Sequence, residues 1–190
     1  VAIGEQCWMA EDLKIGTMVT YAAGGPSDNG VTEKYCYNND TNHCETYGGL
    51  YSWDEAMDYS TAEGSRGICP EGWHIPTDAE FKVLEGSVDS AFGIGDPVWD
   101  NMGYRGSNAG GELKETGFDY WNNPNSGATN GSGFSARGGG YHLSVGPGYF
   151  YQNKQSAAYW TSSASSAFYS YYRMISYSLS RISRFDNSKA

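Results

Sequence analysis

The sequence is poor in the groups that most reaction chemistry needs. It has three histidines, His43, His74 and His142, and none stands at metal-pair spacing from another His or Cys. Four cysteines are present, Cys7, Cys36, Cys44 and Cys69, but no pair has C-x-x-C spacing, which argues against a zinc knuckle or a thioredoxin-like motif. There is no G-x-x-x-x-G-K-[ST] run, and the glycines at 138–140 precede no capped helix, so they read as a turn rather than a phosphate loop. A Ser–His–Asp triad must meet in space; in a serine-rich chain one can always be drawn, so that pattern carries no signal. No apolar run approaches the length that spans a bilayer. Charged residues make up only 18%, and the balance is acidic, with a net charge of -10. That balance argues against nucleic acid as a partner.

Aromatics are abundant at 15%, with 16 Tyr and 26 Gly among 190 residues. Disordered chains are aromatic-poor, so this one is expected to fold, as one domain over 1–190. The charge is uneven. From Tyr151 onward Lys154, Arg173, Arg181, Arg184 and Lys189 stand against Asp186 alone, and these arginines read as solubilising surface residues. Cys36 and Cys44 flank the polar run "YNNDTNH", which reads as a loop stapled by a disulfide and implies an oxidising compartment. A chain opening on Val1 is expected to be a mature or excised piece.

"GWHIPTDAEFKVLEGSV" holds the clearest local signal. Thr77 and Glu80 form a capping box, with Phe81, Leu84 and Val88 along one face, so the spacing predicts a helix over 78–88. Trp73 is expected in the core, and His74 is expected to be packed with its hydrogen bond satisfied. A short helix is expected at 53–59, a helical turn near "ELKET", a strand around 134–136, glycine-rich turns through 127–148, and strands with hairpins from Ala157. Two short helices with a small twisted antiparallel sheet and long irregular loops make an α+β fold. No cofactor is expected. Calcium is the one metal to weigh, because 38–45 and 95–101 supply hard oxygen ligands, but neither stretch has EF-hand spacing, and such loops mostly cap their own backbone.

The stretch "AFYSYYRMISYSLSRISRF" is too polar for a core strand and too aromatic for a solvated one. Tyr gives contact area at little entropic cost, Ser gives adaptable hydrogen bonds and Arg an anchor, the composition of antibody binding loops. The plainer reading is an amphipathic edge strand, with Arg173, Ile175, Tyr177 and Leu179 on one face and Met174, Ser176, Ser178 and Ser180 on the other.

Six motifs in order, "GEQCWMAEDLK", "YCYNND…NHCETYGGLYSWDEAM", "GICPEGWHIPTDAEF", "GGELKETG", "GFSARGGGY" and "AAYWTSS", resemble the Fibrobacter succinogenes major paralogous domain over about residues 4–190. The resemblance implies an exported or surface protein with a C-type lectin-like fold, in the branch of the formylglycine-generating enzymes. No catalytic residue carries over. The calcium-lectin tripeptides are absent, although "VWDN" is present. The last cysteine is Cys69, too early for a formylglycine-generating site, so no enzymatic activity is expected. Family members continue with a strand like "GFSVRC", which leaves Cys69 either a partner beyond Ala190 or Cys7.

The end of the chain also resembles the variable proteins of diversity-generating retroelements. That likeness implies a scaffold over 1–160 and a hypervariable ligand-binding segment over 161–190. Tyr172, Arg173, Ile175, Tyr177, Ile182 and Arg184 fit framework slots. Phe168, Tyr169, Tyr171, Met174, Ser176, Ser178, Leu179, Arg181, Ser183, Phe185 and Asp186 fit variable ones. The expected role is an extracellular or cell-surface adhesin-like module. Its partner would be a protein or glycan on a cell or phage surface, with a membrane reached only through an anchor outside these residues. The alternatives are a carbohydrate-binding lectin-like module and a structural pilus or surface-layer subunit.

Overall fold

The computed structural model describes residues 1–143 and 149–189. Positions 144–148 of the expected glycine-rich turns, and Ala190, lie outside the described residues. The first half is built from short pieces: strands β1 (Ala2–Ile3), β2 (Gln6–Cys7), β3 (Thr17–Met18) and β4 (Glu33–Lys34), then helices α1 (Thr41–Tyr47) and α2 (Trp53–Ala56). Helix α3 (Asp78–Val88), strand β5 (Gly103–Arg105) and helix α4 (Ala109–Leu113) follow. A two-stranded hairpin of β6 (Tyr141–Leu143) and β7 (Tyr149–Tyr151) precedes three longer strands, β8 (Ser156–Ala164), β9 (Tyr169–Ser176) and β10 (Ile182–Ser188). The main sheet is antiparallel in the order β5-β10-β9-β8.

The described residues thus form a mixed helix and sheet architecture with four short helices. Helix α3 has the expected bounds and a reciprocal capping box between Thr77 and Glu80. Helix α1 falls where a polar loop is expected. Asp40 caps it by accepting from Asn42 N–H at 2.9 Å, and the Cys36–Cys44 disulfide ties its first turns to the preceding strand. Residues 134–136 form no strand; Ala136 makes only an isolated bridge to Lys114.

Two apolar clusters sandwich the sheet. The larger lies between α3 and the inner sheet face and includes Phe81, Leu84, Trp99, Leu113, Trp121, Ile175 and Ile182. The smaller, around Trp53, Met57, Cys69 and Ile75, packs against Trp160 on the outer face. Indole N–H groups of the buried tryptophans are all spent on carbonyls: Trp53 on Thr161, Trp99 on Gly93 and Trp121 on Ala136. Trp73, expected in this set, is 36% exposed. Its turn, 70–73, projects from the smaller cluster instead of entering it. His74 is likewise exposed and satisfied, with Nε2 at 2.8 Å from the Glu80 carboxylate.

Candidate ligand-binding surface

Strand alternation sends neighbouring residues to opposite faces. In β9 it puts Arg173 and Ile175 inward, and the register aligns them with Arg184 and Ile182 of β10 and with Arg105 of β5. Three arginines therefore crowd one inner face. Helix α3 answers with Asp78 and Glu85, seven residues apart and so on one side of the helix. Arg173 donates to Asp78 at 2.8 Å and to Glu85 at 2.5 Å; Arg184 donates to Asp78 at 2.8 Å and 2.9 Å; Arg105 donates to Glu85 at 2.6 Å. Arg173 and Glu85 are completely buried. Burial alone would lift the Asp78 carboxyl, but hydrogen bonds from Arg184 and the charge of Arg173 hold it well below the usual range. Burial pushes Glu85 up, against the pull of Arg173 and Arg105. The reading of Arg173 and Arg184 as solubilising is thereby corrected. They are the bolts that fix the hairpin to the helix, and only Arg181 of that set is exposed.

The outer face is different. Across it run Trp160, Tyr172 and Phe185 in register, with Tyr104 completing the row by an edge contact to Phe185 at 6.0 Å. Beside that row stand Ala158, Met174 and Ser183. Tyr172, fitted above to a framework slot, is half-buried in this row and faces outward.

The residues fitted to variable slots fall into three places. Met174 and Phe185 lie on the outer face, half-buried. Ser176, Ser178, Leu179 and Arg181 surround the β9–β10 turn. Phe168, Tyr169 and Asp186 lie at the other end, about 20 Å away at the rise of a strand, where Phe168 is 77% and Tyr169 47% exposed and Asp186 accepts from Ser165 Oγ at 2.8 Å. Two residues do not join them. Ser183 is fully buried, and its hydroxyl donates to the Met174 carbonyl at 3.0 Å. Tyr171 points toward the helix side, its ring 3.9 Å from the Arg184 guanidinium carbon.

The β9–β10 turn has a support that sequence reasoning missed. Lys114, at the end of α4, is fully buried, and its ammonium donates to the carbonyls of Ser126, Ser176 and Leu179 at 2.8, 2.9 and 2.9 Å. Burial lowers its pKa to about 8. The "GGELK" run before it carried the signal only in part. A Cβ on Gly110 would come within 2.5 Å of the Arg181 carbonyl oxygen, so glycine there permits α4 to approach the turn backbone.

A cleft of about 840 Å³ opens beside β8, walled by Trp8, Phe81, Phe134, Tyr159 and Trp160. The Tyr159 hydroxyl is buried in it with no hydrogen-bond partner among the described residues. Asp12 sits in the same wall, and burial lifts its carboxyl to about 7; the opposing charge, Arg137, is already paired with Glu115 at 2.7 Å. Cys7 and Cys69 also line the cleft, both as free thiols, so the Cys7–Cys69 alternative is not realised here.

Of the loops weighed for calcium, Asp96 accepts from Val98 N–H at 2.9 Å and Asp100 from Lys82 at 2.7 Å, while Asp40 caps α1. Among the described residues no group of three or more His, Cys, Asp or Glu side chains could hold a metal ion. No helix among them is long and apolar enough to cross a membrane.

The family model described as the Fibrobacter succinogenes major domain matches residues 1–188. The chain belongs to that family. No curated protein and no solved structure matches it. In this Fibrobacter succinogenes major domain, "CPEGWHIPTDAEF" leads into the capped start of α3, and "AAYWTSS" forms most of β8. The family's motifs thus build the parts that hold the hairpin, and the hairpin residues beyond them build the surface.

Proposed function

We propose that this protein is a non-enzymatic binding module of the extracellular space or cell surface, and that its C-terminal hairpin is a diversified binding surface on a C-type lectin-like scaffold. One observation carries the reading. Four of the six slots read as framework, 173, 175, 182 and 184, coincide with the buried inner face, while Tyr172 and Tyr177 are half-buried, and most slots read as variable lie outward or in turns. A surface whose residues are not needed for folding can change freely, and an inner face bolted to α3 keeps it rigid. The Cys36–Cys44 disulfide favours an oxidising location. A shallow face of aromatic and hydroxyl side chains suits a macromolecular partner, such as a protein on a cell or phage surface.

Sequencing the 3′ end of the gene across the source population tests this. Variation at 174, 176, 178, 179, 181 and 185, with 173, 175, 182 and 184 constant and Ser183 confined to small residues, is the expected result. A uniform sequence would overturn it.

The cleft favours a second reading, a carbohydrate-binding module. Aromatic walls with an unpaired hydroxyl and an uncommitted carboxyl are what a sugar ring would use. Glycan-array binding abolished by Tyr159→Phe and unaffected by changes at 176–181 would put that reading first.

A further inference from the structure

Residues 176–180 close the β9–β10 hairpin, and their backbone is gripped at several points. Tyr177 N–H donates to the Gln155 carbonyl at 2.9 Å, and the Tyr177 carbonyl accepts from Ser126 N–H at 2.7 Å. The Ser180 carbonyl accepts from Gly111 N–H at 2.8 Å. The two remaining inward carbonyls, Ser176 and Leu179, both accept from the Lys114 ammonium. The third proton of that ammonium goes to Ser126, the residue that also grips Tyr177. No side chain of the turn is needed for any of these bonds. Two side chains of the turn do reach beyond it, Ser180 Oγ donating to the Ser107 carbonyl at 3.0 Å and Tyr177 packing against the larger apolar cluster, whereas Ser176 and Ser178 meet each other, Oγ to Oγ at 3.0 Å.

A buried ammonium is costly unless its protons are satisfied. Here three carbonyls satisfy all three, and the Trp121 ring lies 5.7 Å away. Hydrogen bonds from a charged donor are about twice as strong as neutral ones, and carbonyls belong to every residue type. The grip of Lys114 is therefore blind to which side chains stand at 176, 178, 179 and 181.

We propose that Lys114 is the positioning residue of the binding turn: it fixes the backbone of 176–180 from beneath, so that the side chains at 176, 178, 179 and 181 can differ without moving the loop. This rests on the reading of the hairpin as a diversified surface, but its test does not require a ligand.

The test combines amide hydrogen exchange with a library. In the wild-type protein, randomising 178, 179 and 181 together should leave most members folded, as judged by protease resistance. Lys114→Met keeps an unbranched side chain one atom shorter and removes all three donors. It should accelerate exchange at Tyr177, Ser126 and Gly111 by about tenfold or more, with the α3 amides unchanged. Lys114→Gln, which keeps two donors, should fall between. The folded fraction of the library should shrink in the same order, Lys, Gln, Met. Equal exchange rates in all three proteins would overturn the proposal. So would a wild-type library that mostly fails to fold, which remains readable even if Lys114→Met itself unfolds. If the gene proves uniform in nature while this order holds, the diversity reading fails and the role of Lys114 stands.

Discussion

Arg173 and Met174 are neighbours in the chain, yet they belong to opposite worlds. Arg173 is fully buried between the carboxylates of Asp78 and Glu85, with every contact fixed by charge and geometry. Met174 stands on the outer face beside Ala158 and Ser183, where only a flexible side chain meets solvent and neighbours. The same comparison repeats one strand over, between Arg184 and Phe185. A β-strand turns one residue of separation into opposite faces, so a short segment can carry both the most constrained and the least constrained positions of a molecule. The difference teaches where change can be tolerated: outward, because inward a substitution strands a buried charge or opens the core.

The sharpest way to break this comparison is from the inside. Arg173→Ala leaves Glu85 with Arg105 alone and Asp78 with Arg184 and Lys82, in a site buried from solvent. Removing one partner of a buried pair typically costs about 3–5 kcal/mol. That is a large share of a domain's stability, so the variant should unfold at much lower urea concentration or fail to accumulate. Acid should act the same way more slowly. The Asp78 carboxyl is held below its unfolded value, so its contribution is present above the unfolded pKa near 3.8 and is lost as pH falls through the lower folded one.

How much of this was legible in the sequence follows the same division. The helix at 78–88 could be read whole, because Thr77 and Glu80 form a local signal and Phe81 and Leu84 a periodic one. The inward direction of Arg173 and Ile175 could be read from alternation. That the arginine would be buried could not, since its partners lie 88 and 95 residues away in sequence. Helix α1 was hidden by its composition: "TNHCETY" has weak helix formers, and a disulfide and an Asp40 cap, not propensity, hold it. Ser183 followed the alternation correctly and still misled: a small side chain between its cross-strand neighbours Met174 and Tyr104, it is fully buried. Lys114 had only the small residues of "GGELK" as a partial local signal, since its three acceptors are backbone carbonyls far off in sequence.

Asp12 sharpens the comparison by supplying a half-buried acid without the bolts. Its folded pKa stands at about 7, well above the unfolded value of 3.8. Between these values the folded protein keeps a proton that the unfolded chain has released, so wild-type stability should fall as pH rises from about 4 to about 7. Asp12→Asn removes that titration. Melting curves across this window should show the variant gaining on the wild type and holding its lead above pH 7. A variant that loses stability throughout would mean that Asp12 is paired after all.

The smallest effects should come from the outer face, and their smallness is the point. Ser178→Tyr, Leu179→Arg and Arg181→Ser change side chains that lie in a turn held by carbonyls and amides, so each should shift stability by no more than about 0.5 kcal/mol. Met174→Ser should cost somewhat more, because it gives up half-buried apolar area. Phe185→Ser should cost the most of this group, since its ring meets Tyr104 and Tyr172, both at 6.0 Å, and such contacts are worth about 0.5–1.5 kcal/mol beyond burial. Urea midpoints for the five variants, set against Arg173→Ala, decide the matter. If the turn variants cost as much as the arginine, then the outer residues are structural and the face cannot serve as a surface free to change. If they cost almost nothing, the hairpin has the property a diversified binder needs, which is that its outer face can be rewritten while Asp78, Glu85 and the three arginines hold its shape.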